Sequence, residues 1–306
     1  MKVILTGGTG QLGQALRLSV PLFLSGRAVE LIVTTRSGGD GTIPLDLADP
    51  AACRALVEHH QPDWLINAGA YTAVDKAESE PELAHAVNAA APGAMAEALD
   101  ATGGRLLQLS TDFVFNGAQG SPYRPDQQVH PLGVYGASKA AGEASAASAL
   151  APERLCIVRT SWVYGPVGKN FLLTMLRLMA ERDQLGVVAD QVGCPTSTAG
   201  LARACWAVLE QGMSGTFHWS DAGAATWYDF AVAIAELGEA AGLLTNPARI
   251  QPITTADYPT PAQRPSYSLL DCTATRETLG LEALHWRQAL QQVLGHIASS
   301  KASPSL

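Results

Sequence analysis

The sequence predicts an α/β protein built on a doubly wound parallel sheet. Three observations lead there. Short apolar runs alternate with helical stretches through the first half of the chain, the runs are apolar on both faces, and a glycine-rich turn joins the first run to the first helix. Strands apolar on both faces belong in a parallel sheet covered by helices on either side.

In order, the spacing predicts a strand over 3–5, a helix over 12–20, a strand over 30–34, a helix over 50–60, a strand over 64–68 and a helix over 82–99. Residues 106–109 and 155–158 continue the sheet as two more buried strands. After about Gly165 the pattern changes to helices separated by Pro/Gly turns, over 171–181, 199–209, 227–237 and 284–294. Between them, 185–189, 216–219 and 250–253 read as short strands. Pro252, which lacks an N–H, restricts the last to an edge. The tail 298–306, rich in Ser and small residues, is expected to fray.

Of the 306 residues, 47% are hydrophobic and 16% charged, a composition able to bury a core. The 28 acidic against 20 basic residues give a net charge of −8, which opposes binding to nucleic acid or to an anionic membrane surface. Five widely spaced cysteines (Cys53, Cys156, Cys194, Cys205, Cys272), an odd number without a C-x-x-C pair, read as reduced thiols. The amino terminus reaches glycine after three apolar residues, too few for a signal peptide, and no run approaches the ~20 residues that span a bilayer. A cytoplasmic protein without a membrane segment is expected.

The turn after the first strand reads Thr6-Gly7-Gly8-Thr9-Gly10-Gln11-Leu12-Gly13, that is G-x-x-G-x-x-G between a strand and a helix. Glycines there let the backbone turn sharply and approach a pyrophosphate, and the helix start offers free N–H groups and a positive dipole end. Between a strand and a helix the pattern reads as the fingerprint of a dinucleotide-binding Rossmann unit, the alternative being an ordinary tight turn. A carboxylate at the end of the second strand selects NAD, but that end reads Thr34-Thr35-Arg36-Ser37, and Glu30 lies at the opposite end. Arg36 suits a 2′-phosphate, so NADPH is the expected cofactor, with NADH possible; otherwise Arg36 is merely solvated. Asp46-Leu47, after the next apolar segment, either accepts from the adenine amino group or forms an ordinary turn.

Tyr135-Gly136-Ala137-Ser138-Lys139 begins a helical stretch, and its i to i+4 spacing puts phenol and ammonium on one face. A nearby ammonium is expected to lower the phenol's pKa and so favour proton transfer to a carbonyl as hydride arrives at its carbon. Between this pair and the glycine loop, Ser110-Thr111-Asp112 ends the fourth strand, at the carboxyl edge where open α/β sheets bind ligands.

The three elements in this order resemble the extended short-chain dehydrogenase/reductase superfamily. Further segments resemble the dTDP-4-dehydrorhamnose reductase family: Ala68-Gly69-Ala70-Tyr71-Thr72-Ala73-Val74-Asp75-Lys76-Ala77-Glu78, Val87-Asn88, Ser110 through Gly117, and Asp190-Gln191-Val192-Gly193-Cys194-Pro195-Thr196. The resemblance implies reduction of the 4-keto group of dTDP-6-deoxy-L-lyxo-4-hexulose to dTDP-L-rhamnose. It implies that Thr111 binds the keto oxygen, Tyr135 is the acid, and Lys139 holds the nicotinamide ribose. Gly10, Gln11 and Leu12 would contact the pyrophosphate, while Ala70, Tyr71 and Thr72 would line the cofactor channel. Asp112 and Trp162 match substrate-contacting positions, although Trp162 also reads as a core tryptophan. Asn170 and Arg264 are candidates for the nucleotide-diphosphate end.

The chain departs from the family pattern at Asn116, where V-F-D-G becomes V-F-N-G, and at Tyr267, where R-P-x-N-S carries a phenol in place of an amide. Some relatives hold a divalent metal at a subunit interface, but the region after Thr196 has no carboxylate cluster, and no metal is expected. Residues 1–165 plus about 196–220 are expected to form the dinucleotide domain, and about 166–195 plus 221–306 a smaller α/β substrate-binding domain. A homodimer is possible. The competing readings are a reductase or epimerase of another nucleotide sugar, and a non-catalytic NADP-binding regulatory subunit.

Overall fold

The computed structural model describes residues 1–302. Its centre is a seven-stranded sheet made of β1 (Lys2–Thr6), β2 (Glu30–Thr35), β3 (Ile43–Pro44), β4 (Trp64–Asn67), β5 (Arg105–Thr111), β6 (Leu155–Thr160) and β8 (Gly215–Trp219). Their spatial order is β8-β6-β5-β4-β1-β2-β3, with every neighbouring pair parallel. The chain winds outward from β1 to β3, then returns to the other side of β1 at β4. The carboxyl ends of β1 and β4 therefore flank the switch point, where ligands of open sheets bind.

Alternation along the strands explains the two layers. Val3, Leu5, Ile66, Leu107 and Val158 face one side and pack on α1 (Gln11–Leu18) and α6 (Thr198–Gln211). Ile4, Leu65, Leu106 and Ile157 face the other, against α2 (Pro50–His60), α3 (Ala91–Thr102) and α4 (Val134–Ala149). A further core joins α5 (Phe171–Glu181), α7 (Trp227–Ala240) and α9 (Trp286–Ala302) around Leu172, Phe230 and Leu290, beside the parallel pair β7 (Gln184–Val188) and β9 (Arg249–Ile253). Pro252 sits in this two-stranded sheet, where one side of each strand is open. All five cysteines are buried and free.

Several boundaries differ from the sequence expectation. The first helix stops at Leu18, ahead of Pro21, and a hairpin of Phe23–Leu24 with Arg27–Ala28 follows. The stretch expected as one helix over 82–99 is three pieces: Pro81–His85, a π-helical turn over Ala86–Ala90, and α3. There the Asn88 carbonyl lies so close to Gly142 that a Cβ at 142 would come within 2.0 Å of it. A short helix α8 (Thr273–Leu279) had no clear apolar period to announce it. The last helix runs past 294, so 298–302 of the tail expected to fray are helical, and 303–306 lie outside the described residues. Among the described residues, no helix is long and apolar enough to cross a membrane.

Candidate active site

The glycine loop sits at the switch point. Gly7 has φ +68°, and a Cβ on it would meet Gly69 Cα at 2.7 Å, so the end of β1 and the segment after β4 approach this closely because residue 7 is glycine. Gly10 caps α1 without a side-chain bond, leaving the first N–H groups of the helix turned to the cleft. Gly13 is buried beneath the loop, where a Cβ would come within 2.1 Å of Gly7 O.

A cleft of about 710 Å³ opens over this edge. Gly7, Gly10, Gln11 and Leu12 line one part of it, Arg36, Asp46 and Leu47 another, and Ala70, Tyr71 and Thr72 a third. Arg36 and Asp46 form an exposed, long ion pair at 3.7 Å. Asp46 also accepts the Ala48 N–H at 2.9 Å, forming a turn. Glu30 stands at the other end of β2, paired in register with Lys2 and remote from the cleft.

Thr111, Tyr135 and Lys139 converge on the same edge. Thr111 ends β5; its hydroxyl donates to Asp112 Oδ1 at 3.0 Å, accepts the Phe113 N–H at 3.2 Å and lies beside the Tyr135 phenol. Tyr135 and Lys139 occupy the first two turns of α4, and both line the cleft together with Ser110 and Thr160. The electrostatics differ from the expectation that the lysine lowers the tyrosine. Burial and the Asp112 charge push Tyr135 up to about 12, while Thr111 opposes this. The Lys139 ammonium is turned to the Leu109 carbonyl at 2.7 Å, and burial pulls it down to about 8 against the charge of Glu143. The phenol is thus held protonated, the form an acid must start from. Asp112 is buried with Oδ2 unpartnered, and burial raises it to about 6.

The other candidates are engaged within the chain. Trp162, half-buried at φ +46°, stacks on Trp227 with ring centroids 3.7 Å apart, in the space that Gly193 leaves. Asn170 caps α5 by accepting the Leu173 N–H at 2.9 Å and donates to Gln11 Oε1 at 2.8 Å, bracing the glycine loop. Arg264 makes a two-armed pair with Asp75 at 3.0 and 3.1 Å. Asn116 Oδ1 accepts both the Ala118 N–H and the Tyr123 hydroxyl at 3.0 Å, roles an aspartate would also fill. Tyr267 packs at the side of the small cluster of Val114, Phe115, Tyr123 and Leu270.

Asn88, to which the sequence assigns no role, is a structural support of the cleft. It holds Tyr71 in place through the Tyr71 N–H at 2.9 Å and carbonyl at 3.0 Å, and donates to Ser138 Oγ. Its π-helical turn, of the kind that often marks functional sites, is the signal only the structure supplies. Lys76 and Glu80, an i to i+4 ion pair at 2.7 Å, also line the cleft, and Glu80 accepts from the Tyr71 hydroxyl at 2.8 Å. Among the described residues, no three of His, Cys, Asp or Glu are grouped so as to hold a metal ion.

The open parallel sheet, the glycine loop at its switch point and the hydroxyl, phenol and ammonium gathered over the same edge define an extended short-chain dehydrogenase/reductase, an NAD(P)H-dependent oxidoreductase. The sequence model of the RmlD substrate binding domain matches residues 1–299. A dTDP-4-dehydrorhamnose reductase of Streptomyces griseus is 42% identical over 295 residues, covering 94% of this chain and 91% of that protein. The crystal structure of a dTDP-4-dehydrorhamnose reductase from Clostridium acetobutylicum shares 35% identity at a TM-score of 0.87, over 97% of this chain and 99% of that one. The Bacillus anthracis enzyme, solved in complex with NADP, shares 32% at a TM-score of 0.86, over 95% and 98%. This chain belongs to the RmlD substrate binding domain family.

Proposed function

We propose that this protein reduces the 4-keto group of dTDP-6-deoxy-L-lyxo-4-hexulose to give dTDP-L-rhamnose, with NADPH as reductant. The observation that carries the reading is that Tyr135 and Lys139 line a cleft that begins at the glycine loop, with the Thr111 hydroxyl beside the Tyr135 phenol. The residues present fit a dinucleotide. Gly7 lets the loop turn tightly at φ +68°, the open start of α1 would donate to a pyrophosphate, and Arg36, which lines the cleft, would meet a 2′-phosphate.

Bound NADPH supplies hydride to the sugar C4. The chain's residues handle the oxygen. Thr111 turns its single hydroxyl proton from Asp112 to the keto oxygen and so fixes the face presented, and Tyr135 passes its hydroxyl proton to that oxygen as negative charge develops there. The C=O becomes CH–OH, the phenolate left on Tyr135 is stabilised by the neighbouring ammonium, and solvent restores the proton. Lys139 also donates to the nicotinamide ribose. Before the substrate arrives, buried Asp112 accepts the Thr111 proton and holds that hydroxyl in place. Residues 1–165 plus about 196–220 carry the cofactor and about 166–195 plus 221–306 the sugar nucleotide, a division supported by the return of β8 to the sheet and by the separate core around Phe230.

Incubation with NADPH and the enzymatically generated keto sugar tests the reading. Formation of dTDP-L-rhamnose, identified by NMR, is expected. NADPH binding without consumption by any keto-sugar nucleotide would instead favour a regulatory subunit.

A further inference from the structure

Lys139 and Tyr135 lie on one face of α4, and the next residue of that face, one turn on, is Glu143. It is buried, as few carboxylates are. Its carboxylate accepts the Ser110 hydroxyl and is gripped by Arg159 of β6, from Nη2 at 2.7 Å and from Nε at 2.9 and 3.2 Å. Three residues of α4 thus meet three successive residues of β5: Lys139 the Leu109 carbonyl, Glu143 the Ser110 hydroxyl, and Tyr135 the Thr111 hydroxyl. The strands continue the arrangement sideways, since Ser110 pairs in register with Arg159, and Arg159 with His218.

That polar row is fully organised. Arg159 Nη1 donates to the Pro125 carbonyl at 3.1 Å and faces His218 Nε2 at 3.4 Å, while His218 Nδ1 lies 3.0 Å from the Tyr123 carbonyl. A guanidinium only donates and a carbonyl only accepts, so His218 is the Nδ1–H tautomer and neutral. A buried ion pair can often be replaced by apolar side chains without loss of stability, so stability alone does not account for one here. Its placement beside the reacting groups does.

We propose that Glu143 is a positioning residue for the reduction: clamped by Arg159 and Ser110, it fixes the register of α4 against β5 and provides the counter-charge that keeps Lys139 an ammonium ion. The inference rests on reading the cleft as a reductase site with Tyr135 as acid. The titratable and charged groups around Lys139 are Glu143 and Tyr135 on its own helix, Asp112 at the end of β5 beside Tyr135, and Arg159 on β6, whose fork is taken up by Glu143. Burial alone disfavours the ammonium, and Glu143 is the charge that opposes it.

The test compares wild type with Glu143→Gln, which keeps the shape and drops the charge. The first readout is the pH midpoint at which NADPH affinity, followed by the nucleotide's fluorescence, declines as Lys139 loses its proton. The second is the division of any loss between kcat and KM for the keto sugar. Glu143→Gln is expected to move the midpoint about one pH unit lower and to reduce kcat about ten-fold with little change in KM. A folded variant whose midpoint is unchanged overturns the proposal. Glu143→Asp covers the case in which the amide variant fails to fold: with the charge kept, its midpoint stays within about 0.3 unit of wild type while kcat falls. A midpoint that drops in the aspartate variant likewise overturns it. Wild-type protein that binds NADPH but reduces no keto sugar would remove the reductase reading, and the fluorescence midpoints would still decide the role of the Glu143 charge.

Discussion

The Lys139 ammonium donates to the Leu109 carbonyl at 2.7 Å, from helix α4 to the backbone of strand β5 in the central sheet. It sits in a buried position where its pKa falls from 10.5 to about 8. Because the folded value lies below the unfolded one, the cost of burying the charge is present in full below pH 8 and disappears as pH rises toward 10.5. Lys139→Met is therefore expected to raise stability at pH 7 by roughly 3 kcal/mol, an advantage that shrinks above pH 8, while turnover collapses. Urea unfolding at pH 7 and 9.5 checks both signs. A variant less stable than wild type at pH 7 contradicts the account.

Arg36 lines the cleft beside Asp46, with which it pairs loosely, and on the proposed reading it meets the adenosine end of the cofactor. Arg36→Leu is expected to raise KM for NADPH about ten-fold or more and to leave KM for NADH within about two-fold, because only the former carries a 2′-phosphate. Parallel steady-state assays with the two nucleotides decide it. Equal losses for both would make Arg36 an adenine-stacking residue.

Arg264 and Asp75 form a two-armed ion pair across 189 residues of sequence. If the guanidinium leaves the carboxylate to meet the sugar nucleotide's diphosphate, Arg264→Met should raise KM for the keto sugar about ten-fold and Asp75→Asn should lower it. KM values for NADPH should stay put in both variants. A rise in both KM values for the sugar would mark the pair as a structural brace.

Asp221 is buried at the end of β8, accepting the Ser197 N–H at 2.9 Å and the Ser197 hydroxyl at 3.2 Å. Burial raises its pKa from 3.8 to about 7. The folded chain keeps a proton that the unfolded chain gives up, so this group's contribution to stability is greatest below pH 3.8 and is lost as pH rises to 7. Asp221→Asn removes that dependence. Relative to wild type, its stability should improve between pH 4 and pH 8 by up to roughly 4 kcal/mol, read from denaturant midpoints across that range.

Much of this architecture was legible because buried parallel strands write continuous apolar runs, and because Gly7, Gly10 and Gly13 can be explained only by a turn that meets a helix start. The Tyr135 and Lys139 pair was legible for a similar reason, as helix spacing fixes who shares a face. What stayed hidden depends on contacts far apart in sequence. Nothing local shows that Asn170 braces Gln11, that Arg264 faces Asp75, or that the Asn88 carbonyl in the π turn lies close against Gly142. Burial was equally hidden, and with it the sign of the Tyr135 shift. Spacing alone put an ammonium near the phenol, whereas the fold turns Lys139 to Leu109 and leaves desolvation to dominate the tyrosine.

The central claim is that Tyr135 supplies the proton. It is tested most directly by comparing NADPH oxidation by wild type and Tyr135→Phe with the enzymatically generated dTDP-keto sugar, after NADPH affinity has been measured for each. The account predicts that the phenylalanine variant binds NADPH within about three-fold of wild type and loses turnover by about 10²–10⁴-fold. Turnover within a factor of about ten of wild type, at equal cofactor occupancy, would contradict it.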